Sequence, residues 1–154
     1  MSSQPAPSKL SPEFLRALHE LNPARLFPKG AVLFQQGSIA AGVYVVASGE
    51  VCILLHTGLS QRQLLDVAGP GTMLGLSEAL TSEEYRVTAV AGDGTTALFI
   101  AREQFLDFLT VRNDFCMQVV RLLSEDLHGL YCKFRNISAH PGRPRQRDLD
   151  EQLN

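Results

Sequence analysis

The chain has no tryptophan, only three cysteines and few charges: 19% of its 154 residues are Asp, Glu, Lys or Arg, against roughly 25% in an average soluble domain. Each shortage excludes something. Cys52, Cys116 and Cys132 are far apart and form no Cys-x-x-Cys, which leaves a zinc knuckle, a dithiol redox motif or a clustered iron–sulfur site without support. Cys116 and Cys132 fall on one expected helix, where a rise of about 1.5 Å per residue sets them about 24 Å apart, beyond disulfide reach. All three read as buried free thiols. Neither sign of charge dominates, with 14 Lys and Arg against 16 Asp and Glu, a net −2. No global basic field therefore draws the chain to nucleic acid. No apolar run approaches the roughly 20 residues that span a bilayer, and the opening MSSQPAPSKL lacks the apolar stretch of a secretory signal. The expectation is a cytoplasmic protein with no membrane partner.

What is present is apolar: 45% of the residues are hydrophobic, enough for one well-filled core in a single domain of about 100–200 residues. Residues 1–10 are rich in Ser, Pro and Gln and read as a flexible arm. Ser11-Pro12-Glu13 then opens a helix, with Ser11 as cap and Pro12 at its first position, and Phe14, Leu15, Leu18 and Leu21 form its apolar stripe before Pro23.

From about 24 to 101 the texture is that of short strands: Ala31–Phe34, Val43–Ala47, Val51–His56, Gln63–Val67, Thr72–Leu74, Val87–Ala91 and Leu98–Ala101, separated by glycine-bearing turns. Short strands at regular spacing, with no helices alternating between them, predict an antiparallel β architecture rather than a parallel α/β sheet. After Ala101 the period becomes helical. Arg102–Thr110 is a short helix, and a long one is expected from about Asn113 to Asn136. Its apolar positions Cys116, Val120, Leu123, Leu127, Leu130, Phe134 and Ile137 alternate steps of four and three, a heptad seam. Phe115, Val119, Leu122 and Tyr131 widen the apolar face. A helix covering its own barrel on one side and a second copy on the other explains both, which makes Val120, Leu123, Leu127, Leu130 and Phe134 the expected homodimer interface. Residues 138–154 are a polar tail, with Arg143, Arg145 and Arg147 beside Asp148, Asp150 and Glu151.

Gly75-Leu76-Ser77-Glu78-Ala79 is similar to a G-x-S-x-G nucleophile elbow, with Ala in the last place. An esterase would also need an acid and a histidine in reach, and His128 and His140 fall on the long helix and in the tail. Hydrolysis at Ser77 is therefore the least favoured alternative. A metal-dependent β-barrel enzyme needs several inward histidines, and only His56 of the four lies in the β region. No metal, catalytic residue or enzyme activity is expected. The informative segment is Gly69–Ala91. A strand ends at Leu74, Gly75 permits a tight turn, and Leu76–Leu80 make one helical turn whose N–H groups favour an anion. Arg86 is the cation within this stretch. Either it meets a bound anion, or Ser77 or Ser82 caps a structural turn and Arg86 is solvated or paired with Glu83 or Glu84.

These residues belong to a longer pattern. Phe27-Pro28-x-Gly30, Gly37, Val43-Tyr44-Val45-Val46, Gly49-x-Val51, Gly69-Pro70-Gly71, Gly75, Thr88 and Arg102-Glu103-x-Phe105 resemble the cyclic-nucleotide-binding domain of catabolite-activator/Fnr regulators, protein kinase A regulatory subunits and gated channels. The resemblance covers roughly residues 14–137. It implies a mainly β sensor domain over 11–137, an antiparallel jelly-roll (double-stranded β-helix) with one N-terminal helix, two after it and the last as the dimer helix. It also implies a cyclic nucleotide, cAMP or cGMP, as the possible small-molecule ligand, with no other cofactor. In that family an acid after the glycine binds the ribose and an arginine before Ser/Thr-Ala binds the cyclic phosphate. Aligning Gly75 and Thr88 without a gap puts Leu76 at the acid and Tyr85 at the arginine, while Glu78 and Arg86 reach those roles only by slips of two residues and of one. Losing an arginine–phosphate pair costs about 2–5 kcal/mol, or roughly 30- to 4,000-fold in affinity. The candidate cradle is thus Gly75, Leu76, Ser77, Glu78, Tyr85, Arg86, Val87 and Thr88. The leading expectation is a dimeric, non-catalytic sensor or interaction module with a degenerate cradle. The alternative is a working cyclic-nucleotide receptor that uses Arg86. The seventeen polar residues after Ile137 hold no apolar period for a recognition helix, so no DNA-binding element is expected in this chain.

Overall fold

A computed structural model describes residues 9–58 and 61–125 of the chain. Helix α1 spans Pro12–Leu21 and starts as its sequence dictates: Pro12 sits in the first turn, where a missing N–H is harmless, and Ser11 Oγ accepts from the Phe14 amide at 3.2 Å. It buries Phe14, Ala17 and Leu18. The expected arm of residues 1–10 is corrected at its end: Leu10 is 5% exposed and its amide donates to the Gly71 carbonyl at 3.0 Å. An apolar side chain next to the cap is recruited into the core.

Strands follow at Arg25–Phe27 (β1), Val32–Phe34 (β2), Gly42–Ser48 (β3), Val51–Thr57 (β4), Gln61–Ala68 (β5) and Met73–Leu74 (β6). Helix α2, Leu76–Thr81, precedes Thr88–Ala91 (β7) and Thr95–Ala101 (β8), and α3 spans Arg102–Val111. Among the described residues the eight strands form two antiparallel four-stranded sheets, ordered β1-β8-β3-β6 and β2-β7-β4-β5. This is the antiparallel jelly-roll arrangement that the glycine-separated strands predict. β1 was not anticipated. Arg-Leu-Phe is too short to show alternation and becomes a strand by pairing with Thr95–Ala97 of β8.

Register divides the first sheet into two faces. Val43 lies opposite Ile100 and Val45 opposite Leu98, all four fully buried, while Tyr44 lies opposite both Phe99 and Leu74. The Tyr44 face looks across to the second sheet, since its ring centroid stands 5.8 Å from that of Phe34 in β2. The Val43 face is left to the helices, and α3 packs on β3 and β8. Burying side chains of this size contributes roughly 1.5–3 kcal/mol each, and β6 pairs with the same strand β3, which brings α2 against it.

The expected long helix begins with a 3-10 turn at Asn113–Phe115 and is α-helical over 116–125. Phe115 and Val119 are buried and Leu122 packs on the core, whereas Met117 and Val120 are 69% and 54% exposed. Leu123, expected at the homodimer interface, is half-buried against the chain's own core. Leu127, Leu130 and Phe134, like Cys132, His128 and the polar tail, lie outside the described residues. Cys52 and Cys116 are free thiols but half-buried, not fully buried as expected.

Candidate functional site

The segment between β6 and β7 is shaped by one glycine and one tyrosine. Gly75 caps α2 with φ +78°, in the left-handed region that L side chains avoid, and a Cβ there would stand 2.8 Å from Tyr85 Cε1. Glycine is required both by the backbone and by the ring beside it. Tyr85 is 4% exposed, stacks on Phe34 with centroids 4.0 Å apart, and donates its hydroxyl to the Gly42 carbonyl at 2.8 Å. Burial pushes its phenol above the usual tyrosine range. Tyr44 is raised too, chiefly by burial and partly offset by the charge of Arg25. Phe27, Phe34, Tyr44, Tyr85 and Phe99 therefore form a linked cluster of neutral rings between the sheets.

Leu76, at the place of the family's acid, is 2% exposed. Both positions that would bring ribose and phosphate contacts thus carry buried groups without charge. Glu78 is also buried, at 5% exposure, and its two oxygens are already taken: Ser77 Oγ donates to one at 3.1 Å and the Arg86 amide to the other at 3.4 Å. The carboxylate braces the link from α2 to β7. Arg86 lies between buried Tyr85 and buried Val87, yet it is itself exposed and pairs with Glu83 at 3.3 Å. That is one of the two arrangements the sequence left open. Its surface pair, with side chains 40% and 54% exposed, contributes about 0.2–1 kcal/mol at most.

Neither serine caps α2 in the expected way. Gly75 is the N-cap, no side chain caps the helix, and Ser82 closes the other end with φ +59°. Ser77 gives its hydroxyl to Glu78, and no histidine among the described residues bonds to it. The second half of the cradle holds a network that sequence spacing did not reveal. Thr88 Oγ1 accepts from the Gln36 amide at 2.9 Å and lies 3.4 Å from His56 Nδ1. The Gln36 side chain brackets the His56 backbone, accepting from its N–H at 2.8 Å and donating to its carbonyl at 3.4 Å. Beyond Thr88, β7 no longer pairs with β4, and this amide takes over. Only the glutamine beside Gly37 hinted at it. Among the described residues no group of three or more His, Cys, Asp or Glu is placed to hold a metal, and no helix is long and apolar enough to cross a membrane.

Two facing antiparallel sheets, flanking helices and a glycine-opened helical turn between β6 and β7 define a β-roll domain. Residues 24–111 match the cyclic nucleotide-binding domain family, and the chain belongs to that family. It is 34% identical over 107 residues to the Cyclic AMP receptor protein of Thermus thermophilus, a match covering 69% of this chain and 49% of that one. The chain thus spans about half the length of that relative. The crystal structure of Thermus thermophilus Catabolite Activator Protein superposes with a TM-score of 0.72 at 28% identity, over 84% of this chain and 61% of that one. The c-di-GMP responsive global regulator CLP of Xanthomonas campestris shares the fold with a TM-score of 0.72 at 18% identity, over 83% of this chain and 63% of that one. By this membership the domain is of the cyclic nucleotide-binding, Crp-like regulatory type.

Proposed function

We propose that the chain is the cytoplasmic sensor domain of a dimeric regulator whose cradle does not hold a cyclic nucleotide in the family's usual way. One observation carries the reading: Leu76 and Tyr85, aligned with the ribose-binding acid and the phosphate-binding arginine, are packed into the core, and the Tyr85 hydroxyl is committed to Gly42. A cyclic phosphate seated there would meet neutral aromatic and aliphatic groups and lose its main cation. The site suits a less charged small ligand, or it serves as a folded platform for another protein. Calorimetric titration with cAMP, cGMP and cyclic di-GMP tests this, with no saturable heat from the two mononucleotides as the expected result.

A second reading rests on Arg86. Its ion pair with Glu83 is exposed and weak, so a phosphate could compete for the guanidinium. Against it, the Arg86 amide is already held by the buried Glu78 side chain at 3.4 Å. Assembly is the other part of the proposal. Val120 is exposed and free to enter a parallel pair through Val120, Leu123, Leu127, Leu130 and Phe134, with Leu123 shared between that seam and the chain's own core.

A further inference from the structure

Leu10 and Ser11 join two parts of the molecule that lie far apart along the chain. On one side, the Leu10 amide donates to the Gly71 carbonyl at 3.0 Å. Gly71 is fastened to β3 by its own amide, which donates to the Val46 carbonyl, and the Thr72 carbonyl accepts from the Val46 amide. Four residues after Gly71, through the two-residue strand β6, comes Gly75, the start of the candidate cradle. Thr72 Oγ1 is buried without a partner among the described residues, and the hydrogen bonds that join this turn to Leu10 and Val46 are all made by backbone groups.

On the other side, Ser11 and Gln118 form a reciprocal pair 107 residues apart. The Ser11 amide donates to Gln118 Oε1 at 3.3 Å, and Gln118 Nε2 donates to Ser11 Oγ at 3.1 Å. The same hydroxyl caps α1. Three residues on, Phe14 stacks on Phe115 with centroids 4.5 Å apart and planes within 2°. The first turns of the C-terminal helix are therefore gripped by α1 through both polar and aromatic contacts.

We infer that the Leu10–Ser11 strap couples the cradle to the C-terminal helix, so that a displacement of the Gly71–Gly75 segment is delivered to the helix at Gln118. Gln118 is a positioning residue in this device: it touches no ligand and sets where the helix begins relative to α1. A rival route runs through α2 and α3, where Arg102 Nη2 donates to the Leu80 carbonyl at 3.4 Å. The functional sense of the coupling rests on reading the β6–α2 turn as the ligand seat and the helix as the dimer element. The coupling itself needs neither ligand nor dimer.

Amide hydrogen exchange on the full, unliganded chain tests it. Gln118→Met keeps the side-chain volume and removes both hydrogen bonds while leaving the Arg102 route intact. Losing two net hydrogen bonds should speed exchange by roughly 5- to 160-fold. That acceleration is expected at the Leu10, Gly71 and Thr72 amides as well as over 116–125, with Val45 and Leu98 in the first sheet unchanged. Acceleration confined to 10–14 and 116–125 overturns the strap. If Gln118→Met loosens the whole domain, Ser11→Gly decides by the same two patterns, since glycine costs a helix cap only a few tenths of a kcal/mol while removing the Gln118 acceptor.

Discussion

Tyr85 is the residue on which the cradle's character turns, and its contribution divides into parts that mutation separates. Tyr85→Phe keeps the ring on Phe34 and removes only the hydroxyl donated to Gly42 at 2.8 Å, a net loss of about 0.5–1.5 kcal/mol. Tyr85→Leu also removes the stacked ring pair, worth about 0.5–1.5 kcal/mol beyond area, for a combined loss of about 1–3 kcal/mol. Tyr85→Arg places a guanidinium at a site 4% exposed whose ring neighbour is Phe34, and an uncompensated buried charge costs about 3–5 kcal/mol. Urea denaturation at fixed protein concentration reads all three. With a slope of about 1–3 kcal/mol per molar, the midpoint should fall in the order Phe, Leu, Arg at constant slope. A Tyr85→Phe midpoint equal to wild type, or a Tyr85→Arg protein as stable as wild type, would show that this position is an open polar seat and refute the packed-cradle reading.

Alkaline pH should expose the same two phenols. Burial holds the pKa of Tyr44 and Tyr85 above the ordinary 10.0, so the unfolded chain loses these protons first. Their contribution is therefore complete below pH 10 and declines as pH rises from there through the folded values; a Tyr44→Phe/Tyr85→Phe protein should show a flatter midpoint-versus-pH curve in that window, and an unchanged curve would contradict it. Changing Leu127 and Leu130 together to Asp should give monomers by sedimentation with the β-roll intact, since each Leu buried in a seam contributes roughly 1.5–3 kcal/mol. A wild-type protein that already sediments as a monomer would reduce the seam to a cover for its own barrel.

Local signals carried most of the architecture. Ser11-Pro12 marks the start of α1, the glycine turns separate β2 to β8, and the change of period after Ala101 announces the helices, because each depends on neighbours in sequence. What was not legible depends on distant partners. β1 exists because β8 offers it an edge. Leu10 enters the core because Gly71 accepts its amide, and Gln118 is legible only beside Ser11. In the cradle, alignment of the glycines placed Leu76 and Tyr85 at the key positions, but not what surrounds them. Phe34, which stacks on Tyr85, and Tyr44, which meets Phe34, come from strands whose facing is settled only when the two sheets meet. Glu78, a candidate ligand contact, is buried and bonded to Ser77 and to the Arg86 amide, eight residues on, a partner that spacing does not announce.

Titration of the wild-type chain with cAMP, beside its Arg86→Ala variant, tests the central claim most directly. A cradle filled by Leu76 and Tyr85 predicts no saturable binding below about 1 mM for either protein, a free energy weaker than about 4 kcal/mol. Saturable binding near 1 µM, about 8 kcal/mol, that is lost on replacing Arg86 would contradict it and establish Arg86 as the phosphate ligand.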